Sequence, residues 1–186
     1  LPIEENATGG FVAAVEVALA DGRRDVVIIA ERPGRVRAGG VAMDGQAAFL
    51  RRQGDAVVAA RLVGGTALRC GAFALTAPVG ILSGEAAAID DTDWRDNRIT
   101  VTPSLLQPGV TRADLVGRSI VVANTARSDA CYRIQAVSDD GCVVSLGEQT
   151  LIERFRDPGN YAGGFEYTVA PDDAFRVVLS AESAPP

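Results

Sequence analysis

Short apolar runs separated by turn-forming residues recur along the whole chain. The clearest series lies in 41–71, where QAAFLRR, AVVAARLV and TALRCG are separated by QGD and by Gly64-Gly65. A glycine pair between two strand-like runs predicts a tight hairpin, because a primed two-residue turn needs positive φ at its centre. Asp44-Gly45 carries the same signal one step earlier. The pattern predicts a central antiparallel meander that buries one face against other strands.

Period-two alternation predicts which side chains of this meander point inward. In AVVAARLV, Val58 and Leu62 share one face of the strand, while Arg61 takes the other. Phe49 is the only aromatic residue of the meander, and Leu68 is followed by an arginine. We therefore expect Phe49, Val58, Leu62 and Leu68 to face the core.

The same strand-and-turn pattern continues on both sides of the meander. Asp21-Gly22 and Ser138-Asp139-Asp140-Gly141 each lie between two apolar runs, so each predicts a hairpin turn. The alanine-rich run 80–89 permits a short helix, but its β-rich surroundings favour a strand. The pattern predicts an all-β fold, an antiparallel β-sandwich of two stacked layers or a distorted barrel.

The segment from Pro103 to Pro108 is the best candidate boundary, because it is loop-like and carries two prolines. It predicts an N-terminal β layer over 1–102, which contains the central meander, and a C-terminal β layer over 103–186. The alternative is one continuous β-sandwich domain. The chain begins with Leu1 rather than Met, so we expect a processed mature protein or a piece of a longer one.

Composition excludes several classes of chemistry. The 186 residues contain no histidine, and all 18 cationic side chains are arginine. Without histidine there is no Ser-His-Asp triad, Cys-His dyad or imidazole metal site. Without lysine there is no Schiff-base chemistry or Walker-type phosphate loop. We expect no catalytic activity of this chain alone, no metal and no cofactor.

The charge balance and the apolar runs exclude two classes of partner. The net charge of -6 argues against nucleic acid and against anionic membrane surfaces, which both need a basic patch. No apolar run approaches the ~18–20 residues of a membrane-spanning helix. We therefore expect neither nucleic acid nor membrane as a partner.

The three cysteines and a group of aspartates contain residue types that bind metals, but their spacing does not favour a metal site. Cys70, Cys131 and Cys142 form no CxxC pair, and we expect them to be small buried hydrophobic residues. Four aspartates lie within 90–97, but no glycine or closing glutamate follows in the register of an EF-hand. We expect that segment to be a solvated loop between strands; a calcium site is the alternative.

Three segments of the chain together resemble a known group of proteins. They are MDGQAAFLRRQGDAVVAARLVGGTALRCG, then DLVGRSIVVAN with CYRIQAVSDDGCVVSLGEQ, then RDPGNYAGGFEYTVAPDDAFRVVLSAE. Their order of strands and glycine turns, with the patterns GR-x-I, YRI and aromatic-x-V-A-P-x-D-x-F-R, resembles the C-terminal β-sandwich regions of bacterial heparinase II/III-like polysaccharide lyases and related carbohydrate-active enzymes. In such proteins a helical toroid domain precedes a large antiparallel β region. None of these patterns is a catalytic motif.

The resemblance implies a role beside carbohydrate chemistry rather than the chemistry itself. The acid/base groups of that family are Tyr and His, with Asn or Arg neutralising the uronate carboxylate, and a chain without histidine cannot hold that set alone. We assign no catalytic residue. The resemblance implies a secreted or periplasmic bacterial accessory domain, whose partners are the catalytic domain of the same parent chain or another subunit, and polysaccharide.

Three aromatic residues are candidates for glycan contact, namely Trp94, Tyr161 and Tyr167. Aromatic faces stack on sugar rings, although a lone Trp is also typical of a core or interface anchor. The alternative function is an independent glycan-binding or adhesion module, or a structural subunit of an extracellular assembly. A binding module predicts a concave aromatic groove with polar groups around it, whereas a supporting domain predicts one large apolar face.

Overall fold

Antiparallel strands make up most of the protein. A computed structural model describes residues 1–123 and 129–183. Strands account for 58% and helices for 4%, which confirms the predicted all-β, sandwich-like fold. The chain divides into two compact units, one formed by Leu1–Ile81 with Leu179–Pro186 and the other by Leu82–Val178. No helix among the described residues is long and apolar enough to cross a membrane.

The elements of the described residues are named in chain order. The strands are β1 (Ile3–Asn6), β2 (Val12–Ala18), β3 (Arg23–Ala38), β4 (Val41–Gln53), β5 (Ala56–Val63), β6 (Ala67–Cys70), β7 (Phe73–Thr76), β8 (Ile81–Asp90), β9 (Asn97–Thr102), β10 (Ser119–Ala123), β11 (Ala130–Arg133), β12 (Ala136–Val137), β13 (Val143–Gly147), β14 (Ile152–Phe155), β15 (Phe165–Tyr167), β16 (Ala174–Val178) and β17 (Ser180–Glu182). The helices are α1 (Arg112–Leu115) and a 3-10 turn at Tyr161–Gly163.

The first unit is built on a long hairpin of β3 and β4. Towards one end these two strands are flanked by β2 and by β5 with β17, and towards the other end by β1 and by β6 with β7. The pairing of β3 with β4 shifts register between Ile29 and Gly34, at the join between the two halves. The sheet is curled, and the inner faces of both halves contribute to one core. That core consists of Val26, Ile28, Ala30, Val36, Ala38, Val41, Met43, Ala48, Leu50, Ala60, Leu62 and Leu68.

The predicted inward-facing residues of the meander divide into two groups. Leu62 and Leu68 are fully buried in the core, as expected. Phe49 was predicted wrongly, because it lies opposite Arg61 on the outer face while its neighbours Ala48 and Leu50 are buried. Val58 was also predicted wrongly. A register shift next to Arg51 lets Val57 pack against the core in its place.

The glycine signals of the meander mark a chain crossing rather than two hairpin turns. β5 lies beside β4 and β17, and β6 beside β4 and β7, so Gly64-Gly65 carries the chain from one half of the sheet to the other. Asp44 and Gly45 lie inside β4. A Cβ on Gly65 would stand 2.4 Å from the Gly45 Cα, so these glycines allow two backbones to touch. The turn of the β3–β4 hairpin is formed by Gly39 and Gly40, which both have positive φ.

The second unit contains a seven-stranded sheet in the order β11-β10-β16-β8-β9-β13-β12, and a two-stranded sheet of β14 and β15. The ambiguous run 80–89 forms β8, which confirms the predicted strand. Ser138 to Gly141 turns the chain between β12 and β13, also as predicted. The proline-containing segment 103–108 falls inside this unit.

The prediction that all three cysteines are buried is wrong. Cys131 is exposed, and Cys70 and Cys142 are only partly buried. Cys131 lies in the edge strand β11, where Tyr132 next to it takes the core position. Because side chains alternate along a strand, burial of Tyr132 places Cys131 on the opposite face.

Candidate functional site

Four aromatic rings form a connected cluster on the β14–β15 hairpin. The Phe155 ring lies 4.7 Å from the Tyr161 ring and 5.3 Å from the Phe165 ring, centroid to centroid. The Phe165 and Tyr167 rings are 6.5 Å apart. Tyr161 is 71% exposed and Phe155 is 39% exposed, so the outer end of the cluster faces solvent.

Strand alternation and one short turn assemble this cluster. Phe165 and Tyr167 are two residues apart in β15 and therefore share a face, and Phe155 lies directly opposite Phe165 in β14. Tyr161 begins the 3-10 turn between the strands. The Asn160 side chain caps that turn by accepting a hydrogen bond of 3.1 Å from the Ala162 backbone N–H.

A depression of about 420 Å³ opens beside the inner end of the cluster. Its lining combines apolar side chains with a guanidinium, a carboxylate and a phenol, and consists of Ile89, Arg156, Phe165, Glu166, Tyr167, Val169, Ala170 and Pro171. Apolar walls with a few converging polar groups are typical of small-molecule sites. The Glu166 carboxylate is engaged by Arg154. Among the described residues no carboxylate forms an ion pair with Arg156, which is exposed at the rim.

The Tyr167 phenol joins this depression to the loop between β8 and β9. Its hydroxyl donates a hydrogen bond of 3.1 Å to Asp91 Oδ2. Burial raises the pKa of Tyr167, and the Asp91 carboxylate raises it further, against a smaller opposing effect of the Arg156 charge. The phenol therefore stays protonated at neutral pH and donates its hydrogen bond to Asp91.

Trp94 does not belong to the ring cluster that contains the two tyrosines. It is 61% exposed in the β8–β9 loop, and the Arg95 guanidinium stands 4.5 Å from its ring centroid. Among the described residues, the ring contacts unite Tyr161 and Tyr167 with Phe155 and Phe165 and do not include Trp94. The structure thus brings together two of the three aromatic residues that the sequence singled out.

Asp90 and Asp96, at the two ends of the β8–β9 loop, are both hydrogen-bonded within the protein. Asp90 accepts hydrogen bonds from the Thr92 hydroxyl and backbone N–H, which lower its pKa. Asp96 accepts a hydrogen bond from the Ser145 hydroxyl and forms an ion pair with Arg98. Both contacts lower the pKa of Asp96, and the effect of Ser145 is the larger. The described ranges contain no group of three or more acidic, cysteine or histidine side chains that could hold a metal ion.

Three members of this site were not singled out by the sequence, namely Phe155, Phe165 and Arg156, and Asp91 was considered only as one of four candidate calcium ligands. The FEY triplet of β15 carries a usable signal, since two aromatic residues at i and i+2 share one face. The position of Asp91 could not be inferred, because its contact with Tyr167 spans 76 residues.

A scan against protein-family models and searches of curated proteins and of solved structures give no match to this chain.

Proposed function

We propose that this chain is a non-catalytic β domain that binds polysaccharide through the β14–β15 hairpin. The observation that carries the proposal is the contiguous cluster of four rings beside a depression with polar groups at its rim. A sugar ring offers an apolar face to an aromatic ring and hydroxyl groups at its edge. Tyr161 and Phe155 supply exposed aromatic faces for such stacking.

The polar groups of the depression match the edge of a sugar. Arg156 in the lining can donate a hydrogen bond to a ring or hydroxyl oxygen. The Asp91 carboxylate lies next to the lining rather than in it, where it contacts Tyr167, and it can accept a hydrogen bond from a hydroxyl. Tyr167 holds Asp91 in place through its own hydrogen bond. The site can therefore fix the orientation of a sugar whose face lies on Phe165, while the exposed rings extend the contact along the chain of the glycan.

The residue types present support binding without catalysis. The chain has no histidine or lysine, and the Tyr167 phenol is held protonated. The accessory role in a secreted or periplasmic bacterial carbohydrate-processing protein, of the polysaccharide lyase type that the sequence resembles, is part of this proposal. In that setting the domain would hold substrate near a catalytic partner.

Tyr161→Ala tests the proposal most directly. Loss of one stacking ring should weaken polysaccharide binding several-fold, since such contacts contribute about 0.5–1.5 kcal/mol beyond burial. Titration calorimetry against a panel of soluble neutral and acidic polysaccharides measures the loss. Phe11→Ala is the matched control, because Phe11 is 72% exposed but lies in the other unit.

Two results would contradict the proposal. One is the absence of binding to any polysaccharide of the panel. The other is equal binding by the Tyr161→Ala variant and the unsubstituted chain. The same samples should show no rise in the ultraviolet absorbance of unsaturated lyase products, because a binding domain leaves the glycan intact.

A second candidate, a supporting or structural role without glycan, rests on a different feature. The outer face of the first unit's sheet exposes several large apolar side chains, including Val15 and Ile29. An apolar face of this kind is typical of an interface. A chain that binds no glycan but associates through that face would favour this second role.

A further inference from the structure

The sheet of the first unit carries an apolar surface on its outer side, here called the outer apolar face. In the half formed by β2, β3, β4 and β5, three cross-strand rows point outward. They are Ala13-Ile29-Ala47-Val63, Val15-Val27-Phe49-Arg61 and Val17-Asp25-Arg51-Ala59. Nine of these twelve side chains are apolar. Ile29 is 55%, Val15 50% and Val17 47% exposed, so no part of the described chain covers them.

This half of the sheet is apolar on both of its faces. The inner face is the core, where Val26, Ile28 and Leu50 are fully buried. Strands that contain continuous apolar runs, such as VVIIA in β3 and AVVAA in β5, are typical of sheets covered on both sides. A sheet exposed to water on one side would alternate apolar with polar residues. The outer face therefore carries the composition of a buried layer.

The charged groups of the outer apolar face are neutralised within the chain. The Arg51 guanidinium donates two hydrogen bonds, of 2.8 and 2.7 Å, to the two carboxylate oxygens of Asp25. Arg61 forms an ion pair of 3.2 Å with Glu182 in β17. The face offers no unpaired charge to select an oppositely charged partner, and none to repel an identical surface.

The shape of the outer apolar face is compatible with packing against the same face of a second copy. Along one row the small Ala13 and Ala47 lie on either side of the larger Ile29, which gives a ridge beside two recesses. Two twisted sheets with the same twist pack face to face at about 30°, with interdigitating side chains. A symmetric interface needs a self-complementary patch, and this row offers a ridge and recesses that a second copy can match, on a face whose charges are already paired.

We propose that the outer apolar face packs against the same face of a second copy of this chain. Four strands about 4.8 Å apart and three rows about 6.7 Å apart give a footprint of roughly 400 Å². Stable dimers bury about 800 Å² of accessible surface on each partner. The association is accordingly a reversible dimer that depends on concentration, not an obligate one.

Sedimentation velocity over a hundredfold range of concentration tests the proposal on the whole chain. The unsubstituted protein should shift from monomer to dimer as concentration rises. Ile29→Thr keeps a β-branched residue in the strand and should weaken the dimer about tenfold or more, as should Val15→Asp. Val116→Asp is the control, because Val116 is 48% exposed but lies in the other unit, and it should leave the dimer unchanged.

Circular dichroism of each variant shows whether the fold is retained, and the outward position of both substituted residues predicts that it is. A chain that stays monomeric at every concentration overturns the proposal. A dimer that survives both Ile29→Thr and Val15→Asp also overturns it, since the contact then lies elsewhere. Tyr161→Ala must not change the dimer, so that failure of glycan binding and failure of dimer formation are separate results.

Discussion

At the scale of single residues, Leu62 and Arg61 are neighbours in β5 that face opposite sides of the sheet. Leu62 is fully buried, whereas the Arg61 side chain is half exposed and pairs with Glu182 near the surface. Leu62→Ala should lower the free energy of unfolding by about 2–5 kcal/mol, because it removes buried methyl groups and leaves a cavity. Arg61→Ala should cost less than about 1 kcal/mol, since exposed ion pairs contribute little.

Urea unfolding of the two variants, followed by circular dichroism, measures both changes. The two positions are a useful pair, because they are adjacent in one strand and face opposite sides of its sheet. A larger loss of stability for Arg61→Ala than for Leu62→Ala would reverse the faces assigned to β5, because a shift of one residue exchanges them.

At the scale of elements, Gly65 fixes the crossing between β5 and β6. An added Cβ would lie 2.2 Å from the Asp44 carbonyl oxygen and 2.4 Å from the Gly45 Cα, and both are backbone atoms that cannot rotate away. Gly65→Ala should therefore cost about 2 kcal/mol or more, at the upper end of single substitutions. Gly159→Ala is the control, because its Cβ would meet only the Asp157 side chain at 3.5 Å. Thermal unfolding compares them, and an equal melting temperature for both variants would contradict the close contact.

The elements also show how far local pattern determines this fold. Asp21-Gly22 and Ser138 to Gly141 were predicted correctly as turns, because a hairpin is specified by residues adjacent in sequence. Gly64-Gly65 has the same local signature, yet its role depends on Gly45 and on a strand from the end of the chain. Phe49 was misplaced for a related reason. Register shifts in β4 change which face its residues occupy, and period-two alternation does not reveal them.

The candidate site was only partly accessible to the same reasoning. Tyr161 and Tyr167 stand out in the sequence as scarce aromatic residues, and the structure places both in the ring cluster. Trp94 stands out more, yet its ring contacts Arg95 instead. The depression requires Ile89 to meet β15, and the Asp91–Tyr167 contact beside it spans 76 residues. Such long-range contacts leave no local trace in one sequence.

At the scale of the whole molecule, the two proposals together predict multivalent binding. A dimer presents two β14–β15 hairpins, and a second contact with the same glycan chain becomes intramolecular, which raises the apparent affinity without any new contact. A long polysaccharide should therefore bind more tightly at protein concentrations where the dimer forms. Ile29→Thr should remove that gain, while a short oligosaccharide that fills one hairpin should bind the variant and the unsubstituted chain equally.

The unsubstituted chain and the Ile29→Thr variant are each titrated calorimetrically with a long polysaccharide and with its short fragment. The titrations give four dissociation constants to compare. The fragment serves as the internal control, because its binding reports the hairpin alone. A reduced affinity of Ile29→Thr for the fragment would mean that the substitution disturbs the hairpin itself. Equal affinities of both proteins for the long chain would contradict multivalent binding, since the outer apolar face would then contribute nothing to the capture of glycan.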